Sequence, residues 1–142
     1  MNNKVVIKKA SESISFTAID QDQNSVNIGS DVAIGMSPVD LLLSAIASCS
    51  AYDVALILEK GGHSVDLEVE VEGIRKKEGE RKPFVSIHLI FIVKGPFEKN
   101  KVQRVVDLAV KKYCSVGATI RPETQIAHQL VFTSTLAETE AF

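Results

Sequence analysis

Two cysteines stand where this chain could do chemistry: Cys49 in the run Ser48-Cys49-Ser50, and Cys114 in Tyr113-Cys114-Ser115. Each has small or polar neighbours that leave room for a reactant, and each falls in or beside a stretch patterned as a core helix. If the two meet, the chemistry is thiol oxidation. A thiolate attacks the O–O bond of a peroxide and becomes a sulfenic acid; a nearby thiol condenses with it to a disulfide, and an external reductant resets the pair. Taken singly, either cysteine reads as packing, because free cysteines are among the most buried residues and behave as small hydrophobes.

The attacking sulfur must be ionised, and the ordinary thiol pKa of about 8.5 leaves little thiolate at neutral pH. Cys49 sits mid-helix, so its own helix dipole does not help. Asp53, one turn later, opposes ionisation if it faces the sulfur unpaired. A cation must therefore come from elsewhere. Arg121, close after Cys114, is the first candidate, followed by Arg75, Arg81 and Arg104. Asp53 in so apolar a helix is expected in a buried pair with a cation. Cys114, at a possible helix start that Ser115 could cap, is the better placed for dipole assistance. The histidines His63, His88 and His128 are scattered and read as surface or packing residues. Two cysteines cannot make a four-thiolate zinc site. No metal and no cofactor is implied.

The elements that must position these sulfurs are organised around one stretch, residues 37–60. Ser37 is an N-cap, Pro38 fits the first helical position, and Gly61-Gly62 stops the helix. Residues 41–52 carry no charge. The stretch is apolar on every side, the signature of a buried helix, and its uncharged run is short for a bilayer. Residues 1–35 are read as N-terminal strands and a loop, with strands at 4–9, 13–20 and 25–28. Residues 65–93 form a hairpin, in which Val65, Leu67, Val69 and Val71 alternate with acidic residues and Val85, Ile87, Leu89, Phe91 and Val93 share one face. A second helix and a short following one occupy 98–120, a last strand 125–133, and a tail 134–142. The order β-β-β-α-β-β-α-β is an α+β fold with antiparallel pairing, one domain over 1–142. A helix apolar all round needs cover on all sides, and one small sheet covers one side. Two such helices packed together between two sheets, in a homodimer, is the simplest solution.

The chain has 142 residues, 45% of them hydrophobic, and a net charge of −2. That balance points to neither nucleic acid nor an anionic membrane as a partner. The N-terminus shows no apolar signal segment, so the cytoplasm is the expected compartment, where thiols stay reduced.

The stretch G-M-S-P-V-D-L-L-L-S-A-I-A-S-C-S-A-Y-D-V at 35–54, with D-L-A-V-K-K-Y-C-S-V at 107–116, resembles the OsmC/Ohr family of osmotically inducible and organic-hydroperoxide-resistance proteins. The likeness is greatest to its YhfA-type branch, in C-S-A-x-D-V and K-Y-C-S-V. The resemblance implies an OsmC-like fold, an intertwined homodimer with long central helices between antiparallel sheets, and a thiol peroxidase that reduces organic hydroperoxides with a dithiol reductant. Carried over by motif, Cys49 matches the peroxidatic cysteine and Cys114 the resolving one. Where the peroxidase branches carry glutamate after the helix-starting proline, this chain has Val39, and residues 1–35 hold no arginine to pair with it. A second reading follows: a non-catalytic or weakly active member that binds a small apolar ligand or senses redox state.

Overall fold

A computed structural model describes residues 2–29, 31 and 34–136. Most of the tail expected over 134–142 lies outside the described residues, as do Ser30, Val32 and Ala33 of the loop before the long helix. The chain divides into two compact units, the first running to Leu42 and the second beginning at Leu43.

The first unit is an antiparallel sheet of β1 (Val5–Lys9), β2 (Ser15–Asp20) and β3 (Ser25–Gly29), in that order. The β2–β3 turn is built by Asp20, whose Oδ1 accepts the backbone N–H groups of Asp22 and Asn24 at 2.8 and 2.9 Å. Gln23 takes the left-handed conformation that closes this turn, with φ 69°. Val5 and Ile7 of β1 are more than half exposed. The helix α1 (Pro38–Glu59) starts here, and its cap is the one read from sequence: Ser37 Oγ accepts the N–H of Asp40 at 3.2 Å.

The second unit holds the rest of α1, then β4 (Asp66–Arg75), β5 (Phe84–Gly95), α2 (Lys99–Leu108), a wide π turn (Ala109–Tyr113), α3 (Ser115–Thr119) and β6 (Gln125–Ser134). Its sheet runs β4-β5-β6. β4 and β5 pair antiparallel as the hairpin reading required, but β6 pairs with β5 in parallel. The expectation of antiparallel pairing throughout is corrected at this strand. A connection carrying two helices brings the chain back to the end of the sheet where β5 began, which is how parallel neighbours are joined. The α+β class stands.

The core is formed by Ile87, Leu89, Phe91 and Val93 of β5, Ile46, Val54 and Leu58 of α1, and Val102, Val105 and Val106 of α2. One expected inward residue is out of place. Val85 is 45% exposed and Phe84 takes the buried position. A bulge explains it: Ile74 pairs with Ser86 but Arg75 pairs with Phe84, so Val85 is the extra residue and the inward alternation shifts by one. Gly73 makes room for the displaced ring, since a Cβ there would meet Phe84 at 2.4 Å and Leu43 at 3.1 Å.

The second helix is also not one continuous piece. α2 stops at Leu108, the π turn follows, and Cys114 is extended (φ −72°, ψ 100°) before α3. On α1, Ile46, Ala47, Ser50, Val54 and Leu58 are buried, whereas Tyr52 and Leu56 are 69% and 55% exposed. Within one chain the helix is therefore covered on one face. By length and mean hydropathy (22 residues, 1.9) it is apolar enough to cross a bilayer; a helix covered on all sides by protein has the same composition.

Candidate functional site

The site forms where α1 meets the junction between the π turn and α3. Cys114 is the N-cap of α3: its Sγ accepts the N–H of Gly117 at 3.2 Å. The sequence reading had Ser115 in this role, but Ser115 is the first helical residue. The same sulfur lies 3.9 Å from the carbonyl oxygen of Ile46, as a weak S–H donor. Ser50, fully buried, donates its Oγ–H to that carbonyl too, at 3.2 Å. Ile46 O thus ties a mid-helix turn of α1 to Cys114.

The Cys114 sulfur faces a cavity of about 240 Å³ walled by Ile46, Ser50, Leu89, Val110 and Ile126, with the exposed Lys111 and Lys112 completing the lining. Cys49 is half-buried and opens on a different, shallower recess of about 460 Å³. That recess is lined by Ser48, Tyr52 and Asp53 of α1 and by Tyr113, Ser115 and Val116. The residues on either side of Cys114 therefore border the Cys49 recess, while the Cys114 sulfur turns into the adjoining cavity. Both cysteines are free thiols on the two sides of one seam.

Asp53 shares the Cys49 recess but does not find the expected cation; among the described residues it makes no ion pair. It remains half-buried at the recess wall rather than sealed in a buried pair. Arg121 is held elsewhere. Its Nε binds Glu123 Oε2 at 2.8 Å, and it lines a separate pocket with Lys76 and Arg81. Arg75 donates Nε–H to the carbonyl of Lys82 at 2.8 Å. No lysine, arginine or histidine is among the described residues that line the Cys49 recess. Among the described residues no cluster of three metal-ligating side chains occurs.

Sequence reasoning missed one polar linkage. His128, read as a surface or packing residue, points inward from β6 and is 10% exposed, with its Nε2 2.7 Å from Asp107 Oδ1. Gln103 Nε2 donates to the same oxygen at 3.0 Å. The bond from His128 holds the Asp107 carboxyl below its usual 3.8, against the opposing effect of burial. The signal was available: Gln103 and Asp107 share a helical face at i, i+4, and His128 alternates with the inward Ile126 and Leu130.

The family model of OsmC-like proteins matches residues 29–129. Protein YhfA of Escherichia coli K12 is 43% identical over 94 residues, 65% of this chain and 69% of that protein. Among solved structures, the fold is shared with an OsmC-like protein of Mycoplasma pneumoniae (TM-score 0.79, 19% identity, 94% of this chain and 98% of that one). It is also shared with the organic hydroperoxide resistance protein OhrB of Bacillus subtilis (TM-score 0.60, 17% identity, 92% and 98%).

Proposed function

The chain belongs to the OsmC-like family, in its YhfA-type branch, and from that premise we propose that it is a cytoplasmic thiol-dependent peroxidase acting in peroxide stress. The observation that carries the reading is the seam: Cys49, half-buried beside an open recess, borders the residues that flank Cys114. The Cys49 thiolate attacks one oxygen of an organic hydroperoxide. An S–O bond forms, the O–O bond breaks, and the leaving alkoxide takes a proton to become the alcohol. The Cys114 thiol then attacks the Cys49 sulfenic acid; the S–S bond forms and water leaves. An external dithiol supplies two electrons and two protons to restore both thiols. For the second step the Cys114 sulfur must swing off the Gly117 N–H and the Ile46 carbonyl.

The working unit is a homodimer. The exposed row Tyr52 and Leu56 on α1 is the face a second copy would cover, in keeping with the all-round apolar composition of this helix. Chromatographic mass should fall to that of one chain in Leu56→Lys.

One observation favours the second reading, a slow redox sensor. Asp53 is the charged residue among those lining the Cys49 recess, and no cation stands there to stabilise the thiolate. Thiol titration before and after one equivalent of cumene hydroperoxide separates the two. Peroxidase action consumes both thiols per chain within seconds and is abolished in Cys49→Ser; hydroperoxide consumption unchanged in that variant refutes it. Loss over hours, with the same two residues, supports the sensor.

A further inference from the structure

Away from the cysteines, at the β4–β5 hairpin loop, three cations from two separate stretches converge on a pocket of about 230 Å³. Lys76 follows β4, Arg81 belongs to the hairpin loop, and Arg121 lies between α3 and β6. Glu123 is the one carboxylate in the lining, and it is already bound to Arg121. Three cations against one carboxylate leave a net charge of two positive. Neither Lys76 nor Arg81 has an ion pair among the described residues.

The pocket is built rather than incidental. The bulge that puts Val85 outward supplies an apolar wall, shared with Pro83 and the edge of Phe84. A backbone bond from Lys76 N–H to Pro83 O at 2.9 Å and the Arg75 bond to Lys82 O fix the base of the loop that carries Arg81. On the opposite side, the buried Thr124 donates Oγ1–H to Phe84 O at 2.6 Å and its N–H to Arg121 O at 3.1 Å. One wall is thus anchored to Lys82 and Pro83, at the end of the loop, and the other to Phe84, the first residue of β5. Like charges held in one concavity repel unless an anion enters, and two guanidinium groups offer paired N–H donors to tetrahedral oxygens.

We propose that this pocket binds a phosphate monoester with an apolar organic body. Such a group carries a charge of about −1.5 to −2 at pH 7, matching the net charge of the lining. Its phosphoryl oxygens meet Arg81, Arg121 and Lys76, and its organic part lies on Pro83 and Val85. The proposal does not depend on the dithiol reading, since no cysteine borders this pocket.

The test is calorimetric titration of the full chain at low salt with phenyl phosphate, inorganic phosphate and phenyl sulfate. Phenyl phosphate should bind saturably, one per chain, at least tenfold tighter than inorganic phosphate, which lacks the apolar body, and than phenyl sulfate, a monoanion. The double variant Arg81→Met, Arg121→Met should weaken it at least tenfold with unaltered melting temperature, and Lys76→Met severalfold. Val85→Ser should weaken phenyl phosphate and leave inorganic phosphate unaffected, and Glu123→Gln should tighten both. Lys94→Met, an exposed cation on β5 outside the pocket, should change nothing. Equal weakening by Lys94→Met, retention of affinity in the double variant, or absence of saturable phenyl phosphate binding would each overturn the proposal.

Discussion

Cys114 has two roles that can be separated by substitution, one structural and one redox. Its sulfur caps α3 by accepting the Gly117 N–H, and it is 6% exposed. Cys114→Ala removes the acceptor. Losing an N-cap costs about 0.5–2 kcal/mol, and because the Gly117 amide left without its acceptor is half-buried, about 1.5 kcal/mol is expected here. The vacated sulfur volume joins the existing cavity of about 240 Å³, whose walls already stand apart. Collapse gives little relief there, and about 0.5 kcal/mol is a fair cost for the added void. The sum, about 2 kcal/mol, corresponds to a fall in melting temperature of roughly 4–8 °C for a domain of this size. Cys114→Ser keeps an acceptor at the same position and should lie within about 0.5 kcal/mol of the parent.

The two variants therefore diverge in urea or thermal unfolding but coincide in redox behaviour. Both leave the Cys49 sulfenic acid unresolved, to be trapped by a 1,3-diketone. A corollary concerns the unsubstituted protein. If the disulfide forms, the sulfur leaves Gly117, and the Gly117 amide should exchange with deuterium faster in the oxidised state than in the reduced one. Equal stability of the alanine and serine variants, or Gly117 protection that survives oxidation, would refute the argument that the resolving sulfur and the helix cap are one atom.

Two further outcomes follow from the packing. Gly73→Ala places a Cβ 2.4 Å from the Phe84 ring, which must move with its bulge, so a loss of about 1–3 kcal/mol is expected in the urea midpoint at constant slope; combining it with Phe84→Leu should cost less than the two changes summed, and strict additivity would contradict the clash. Asp107 is held below its ordinary 3.8 by His128, so its stabilisation is present above that value and is lost as pH falls through the still lower folded-state pKa. With the side chain 41% exposed, the effect is at most about 1 kcal/mol, and the deficit of Asp107→Asn against the parent should shrink as melts are taken from pH 7 toward pH 3; a deficit independent of pH would show that charge plays no part.

What was legible in the residues was local, and what was not depended on pairing. The Ser37 cap, the Gly61-Gly62 stop and the alternation of β4 are written within a few consecutive residues, where side-chain period and backbone hydrogen bonding coincide. The inward switch from Val85 to Phe84 could not be read the same way. A bulge shifts the parity of one strand, and it exists only relative to the partner residues Ile74 and Arg75. The direction of β6 is likewise carried by none of its own residues; it follows from where the crossover through α2 and α3 delivers the chain. The same limit governed the site. Cys49 and Cys114 were found by their neighbours, but closeness along the chain misplaced Arg121, because α3 and the following turn carry it to Glu123 and the basic pocket. The cation sought for the thiolate and the cations that line the phosphate pocket are thus different questions. Arg121 answers only the second, and no cation among the described residues lines the Cys49 recess.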